Sequence, residues 1–139
     1  MIEFCYETPF SLKNEEEVRS WINTVVEGEN KTVHELVYVF CDDERLLELN
    51  REYLDHDTYT DILTFPYSES DGIQADIFIS IPRVLENAKR YNIVVEEELR
   101  RVMIHGVLHL VGYNDHSEDE KIKMRELEES KLKMFHVEQ

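Results

Sequence analysis

From His105 the chain reads His-Gly-Val-Leu-His-Leu-Val-Gly-Tyr-Asn-Asp-His, a run of twelve residues that holds three of the six histidines in the sequence. Imidazole carries protons near neutral pH and binds transition metals, so such a cluster points first to a metal or acid-base site. Residues four apart on an α-helix stand one above the other, so His105 and His109 can offer ring nitrogens to a single divalent ion. Gly112 is a natural helix stop, and Tyr113-Asn114 turns the chain so that Asp115 or His116 can return to the same ion. Three protein ligands with a fourth position left to water is the arrangement of catalytic rather than structural zinc. The chemistry implied is hydrolysis.

The same spacing occurs in the zincin helix His-Glu-x-x-His, whose glutamate is the general base of a peptidase. Gly106 stands where that glutamate would be, so a zinc peptidase-like reading loses its base. Glycine inside a helix costs roughly 1 kcal/mol relative to alanine, so Gly106 marks a close backbone approach or room for a substrate. Val102, Met103, Ile104, Val107, Leu108, Leu110 and Val111 leave this helix no polar face. It is therefore expected to be largely buried, with its imidazoles in a low-dielectric setting.

The elements that must hold this helix can be read in outline. Ile2 to Tyr6 alternates as a half-buried strand does, and Asn14 precedes a helix with Val18, Trp21, Ile22, Val25 and Val26 on one stripe. Val33 to Cys41 reads as a strand, and Asp42 as the N-cap of a helix carrying Leu46, Leu47 and Leu49. Asp61 to Phe65 is a short extended segment closed by Pro66. Ser68 to Gly72 supplies turn chemistry before a strand from Asp76 to Ile81, and these two strands are candidates to pair. Pro82 suits the first turn of a helix reaching about Tyr91, and Glu96 opens the histidine helix, its acidic first turn matching the helix dipole. Ser117 and Glu120 form a capping box ahead of a helix with Ile122, Met124, Leu127 and Leu132. The sum is an α+β protein: one domain over residues 1–139, a mixed sheet of about four strands covered by about five helices, and a zincin-like metal helix facing a cleft.

Composition limits the setting. The 139 residues, 42% of them apolar, suffice for one core. The most apolar run, Val102 to Gly112, is too short to span a bilayer, and Met1 to Glu7 lacks the features of a secretory signal, so a cytoplasmic location with no membrane partner is expected. Cys5 and Cys41 are expected as thiols. A formal charge of −16 argues against a generic polyanion-binding surface, so any RNA ligand must meet a local basic patch.

The run His105 to Tyr113 resembles the YbeY family, bacterial metal-dependent single-strand endoribonucleases of ribosomal RNA maturation, with the signature His-Gly-x-Leu-His-Leu-x-Gly-Tyr-Asp-His. The likeness extends through Leu49-Asn50, Tyr53, the block Thr60-Asp61-Ile62-Leu63-Thr64-Phe65-Pro66 and Asp76-Ile77-Phe78-Ile79-Ser80. It implies one zinc ion, single-stranded ribosomal RNA as substrate, a role in rRNA processing and ribosome quality control, and ribosomal proteins or the small ribosomal subunit as further partners. The family's third histidine falls at Asp115 here, with His116 one residue later, so either can be the third ligand. The family arginine after Tyr53 is replaced by Leu54, and Arg51, about one helical turn earlier, is the candidate to present a cation to phosphate. Ala75 stands where the family usually has glycine.

Other residues are weaker candidates. Asp61 and Asp76 can orient groups or move protons. Arg83, Lys89, Arg90, Arg100 and Arg101 form the densest basic set, and Phe65, Tyr67 and Tyr113 can stack on unpaired bases. His34, His56 and His136 are isolated. A noncatalytic ribosome assembly factor, with a structural metal and an acidic face for basic ribosomal proteins, is the alternative from a different class.

Overall fold

The computed structural model describes residues 1–56, 58–67 and 72–135. Its elements follow in mixed order: β1 (Ile2–Tyr6), α1 (Glu15–Gly28), β2 (Val33–Cys41), α2 (Asp43–Leu54), β3 (Ile62–Pro66), β4 (Ile73–Ser80), α3 (Ile81–Tyr91), α4 (Val95–Leu110) and α5 (Glu118–Leu132). Three helix starts are capped by side chains, and two of them, Asp42 and the Ser117–Glu120 box, are those expected from sequence. Asp42 accepts from the Arg45 amide, Ser80 from the Arg83 amide ahead of α3, and Ser117 and Glu120 close a reciprocal capping box.

The strands make one mixed sheet in the order β1-β2-β4-β3. β1 and β4 run parallel to β2, while β3 pairs antiparallel with β4, Ile62 opposite Ile79. β4 begins at Ile73 rather than Asp76, because β2 offers a partner back to Val33, which stands opposite Ile73. Of the turn expected at 68–72, residues 68–71 lie outside the described residues, as does His136.

Period-two alternation sorts the strands onto two faces. Leu36, Tyr38 and Phe40 of β2 with Ile73, Ala75, Ile77 and Ile79 of β4 form the main core against the apolar faces of α1 and α4. On the other face α2 lays Leu46 and Leu49 over Cys41, Leu63, Phe65 and Phe78. The architecture is therefore α+β, with the histidine helix pressed onto the larger core. No helix among the described residues is long and apolar enough to cross a membrane.

Two contacts fix how α4 sits. The buried Tyr38 hydroxyl donates to the Met103 carbonyl at 3.0 Å, two residues before His105. A Cβ on Gly106 would lie 3.0 Å from Ile62 Cδ1 and 3.1 Å from Ile77 Cδ1. Gly106 thus serves close approach of the helix to β3 and β4. The alternative, space for a substrate, is corrected: strand side chains fill that side of the helix.

Candidate metal centre

The turn after α4 decides which residue returns to the histidines. The Gly112 amide donates to His109 O and the Tyr113 amide to Leu108 O, at 3.1 and 3.0 Å. This is the paired bonding of a Schellman motif, and Gly112 takes the positive φ, 116°, that it requires. The reversal carries Asp115 back over the helix end. His116, one residue on, is exposed, and its amide donates to Glu120 at 3.1 Å. The structure therefore brings Asp115, and not His116, to the histidine pair.

His105 Nε2 and His109 Nε2 lie 3.1 Å apart. Each stands 3.4 Å from an Asp115 carboxylate oxygen, His105 from Oδ2 and His109 from Oδ1. One ligand atom from each residue falls within 4.8 Å of the others, a group that can hold a metal ion. Tetrahedral zinc with bonds of about 2.0 to 2.1 Å places neighbouring ligand atoms about 3.3 to 3.4 Å apart. The ring nitrogens lie near that spacing from each other and from one Asp115 oxygen each, and two nitrogens with one carboxylate suit zinc or a neighbouring transition metal better than calcium or magnesium. The donor set fits such an ion. The helix is largely buried, as expected, while the side chains of His105 and His109 are 20% and 31% exposed.

Behind His105 lies a charged network that sequence reading missed. Its Nδ1 is 2.5 Å from Glu128 Oε2 on α5. Arg101, one turn before His105 on α4, donates to Glu128 Oε1 at 3.1 Å and grips Glu98 through two bonds of 2.8 and 2.6 Å. Glu98 is 0% exposed and Glu128 4%. Burial pushes the Glu128 carboxyl up, but the His105 hydrogen bond and the Arg101 charge outweigh it and hold the group below its usual range. The available signal was spacing: Glu128 lies one turn after Met124, the other buried residue of α5.

The remaining candidates divide. Asp61 stands at the head of β3 and, with Ile62, Arg101, Val102 and His105, lines a cleft of about 150 Å³ beside the histidines. Burial raises its carboxyl above the usual range, partly countered by Arg101 and His105. Asp76 points to the opposite face of the sheet from its neighbour Ile77, where it accepts from Tyr67. Phe65 packs edge-on against Tyr53 and Phe78, also under α2. Arg51 is exposed in the last turn of α2, on the sheet face away from α4. His34 and His56 are exposed and lie outside the ligand group.

Members of the basic set are engaged with neighbours. Arg101 bonds Glu98 and Glu128, and its side chain stays 29% exposed at the cleft. Arg83 pairs with Asp43 at 2.6 Å, Arg90 with Glu86 at 3.6 Å, and Arg100 lies over the Phe135 ring at 4.3 Å. Tyr113 is likewise engaged: its hydroxyl bonds Glu29, and Lys123 sits over its ring.

Comparison with known proteins gives a consistent neighbourhood. The family model described as Endoribonuclease YbeY matches residues 5–136. A protein called Endoribonuclease YbeY from Flavobacterium psychrophilum is 51% identical over 139 residues, covering 100% of this chain and 99% of the relative. Its counterpart in Flavobacterium johnsoniae is 50% identical, covering 100% of both. The solution structure of TM1509 from Thermotoga maritima superposes with a TM-score of 0.71 at 29% identity, over 97% of this chain and 89% of that one.

Proposed function

The chain belongs to the Endoribonuclease YbeY family, and from that premise we propose that it is a zinc-dependent endoribonuclease cutting single-stranded RNA in ribosomal RNA processing and ribosome quality control. Residues 1–139 act as one catalytic domain, in the cytoplasm, with ribosomal RNA and the small ribosomal subunit as partners. The observation that carries the reading is the convergence of His105 Nε2, His109 Nε2 and the Asp115 carboxylate, the two nitrogens 3.1 Å apart and each 3.4 Å from a different oxygen of Asp115.

In this reading His105, His109 and Asp115 hold the ion. When bound, zinc supplies Lewis acidity toward a phosphoryl oxygen and toward water. The chain's own residues do the rest. The Schellman turn at Gly112 sets the carboxylate against the imidazoles, and the apolar underside of α4 keeps both rings on a rigid element. Asp61, beside His105, is placed to orient a group or move a proton at the cleft. Gly106 is packed against Ile62 and Ile77, so the helix offers no peptidase-type base.

The test is cleavage of a single-stranded RNA oligonucleotide by zinc-loaded protein. Loss of at least about a hundredfold in His109→Ala, with folding retained and no cleavage of peptides, is the expected result. Undiminished RNA cleavage by folded His109→Ala would overturn the reading.

A further inference from the structure

Two carboxylates, Glu98 and Glu128, are buried beside one guanidinium, that of Arg101. Buried charges persist only when paired and hydrogen-bonded, and this trio keeps one negative charge in excess. Its outer end is the 2.5 Å contact between Glu128 Oε2 and His105 Nδ1. A carboxylate can only accept there, so His105 Nδ1 carries the proton and donates. The Nε2 lone pair is then left facing His109 and Asp115.

Resting on the metal-centre reading above, we propose that Glu128 is a positioning residue for His105: it fixes the metal-binding tautomer and ring orientation, and it links ion binding to the docking of α5 on α4, with Arg101 and Glu98 as its brace. Arg101 is what makes the arrangement stiff. Its planar fork takes both Glu98 oxygens on its own helix and reaches Glu128 on the next, so the carboxylate that meets His105 is held from behind. Outer partners of this kind raise the basicity of the ligating nitrogen and lower the disorder of the ring.

Two measurements test it. Nitrogen-15 NMR of metal-free wild-type protein reads the His105 tautomer directly: an Nδ1–H ring is expected, and an Nε2–H ring overturns the proposal without any mutation. Zinc affinity by chelator competition is then compared between wild type and Glu128→Gln, with the melting temperature of both metal-free proteins as a control. A loss of affinity of about 10- to 100-fold beyond any change in metal-free stability supports the role. Equal affinity, or a fall in metal-free melting temperature alone, assigns Glu128 to structure and overturns it. Wild-type protein that takes up no divalent ion contradicts the metal-centre reading instead, while the tautomer still reports on the His105–Glu128 pair.

Discussion

The Tyr113 hydroxyl donates a 2.7 Å hydrogen bond to the Glu29 carboxylate, tying the loop that carries Asp115 to the end of α1. Lys131 of α5 reaches the other Glu29 oxygen at 3.0 Å. Asp115 is thus anchored by residues far from it in sequence, through a loop that has no strand or helix of its own.

Tyr113→Phe removes that anchor and leaves the side chains of His105, His109 and Asp115 unchanged. We expect a loss of about 1 kcal/mol in stability, the usual size for one partly exposed hydrogen bond to a charged group, and a several-fold weaker hold on zinc. Thermal unfolding and chelator competition read the two effects. A variant that binds zinc as wild type does would show that Asp115 is placed without the Tyr113 anchor.

The same bond sets a pH dependence. The Tyr113 hydrogen bond, opposed by burial and aided by Lys131, holds the Glu29 carboxyl below its usual range. A folded pKa below the unfolded one, about 4.3 for glutamate, stabilises fully above that value. The stability is lost as pH falls through the folded pKa. The deficit of Tyr113→Phe should therefore be complete at pH 7 and shrink in unfolding curves taken below about pH 4. A deficit that stays constant into strong acid contradicts the assignment.

Gly106→Val tests the packing of α4. Valine would press its branched carbons where a Cβ alone already meets Ile62 Cδ1 at 3.0 Å and Ile77 Cδ1 at 3.1 Å. Overpacking of this kind costs about 1 to 3 kcal/mol, so a lower melting temperature is expected, together with weaker zinc binding as the helix lifts from the sheet. Wild-type stability would mean that α4 has slack against β3 and β4.

Separate alanine substitutions distinguish the two neighbours after Asn114. Asp115→Ala should lose bound zinc, whereas His116→Ala should keep it, because only Asp115 turns its side chain to the histidines. Metal analysis of both purified variants decides the matter, and equal retention would reject a role for Asp115.

Much of this arrangement was legible from residue types at short range. The spacing of His105 and His109, the stop at Gly112, the caps at Asp42 and Ser117 and the period-two strands each follow from one or two turns of local geometry. Asp115 and His116 were indistinguishable because a one-residue difference in register is settled by hydrogen bonds to Leu108 and His109, which the sequence does not display. Glu128 was missed for a different reason. The apolar residues of α5 pointed to a face with Ile122, yet Ile122 is 60% exposed and the helix instead buries Met124 and a carboxylate. Burial of that charge depends on Arg101 and His105, both on another helix, so its one-turn spacing from Met124 could not by itself single it out. The pairing of Arg101 with two buried acids is illegible in sequence for the same reason.

The most direct test of the metal centre is the metal content of purified, never-chelated protein, combined with anomalous diffraction at the zinc edge. One zinc ion per chain, seated between His105, His109 and Asp115 and absent from the His105→Ala/His109→Ala variant, is the predicted result. Metal-free protein that refuses added zinc, or an ion bound away from these three side chains, would contradict it.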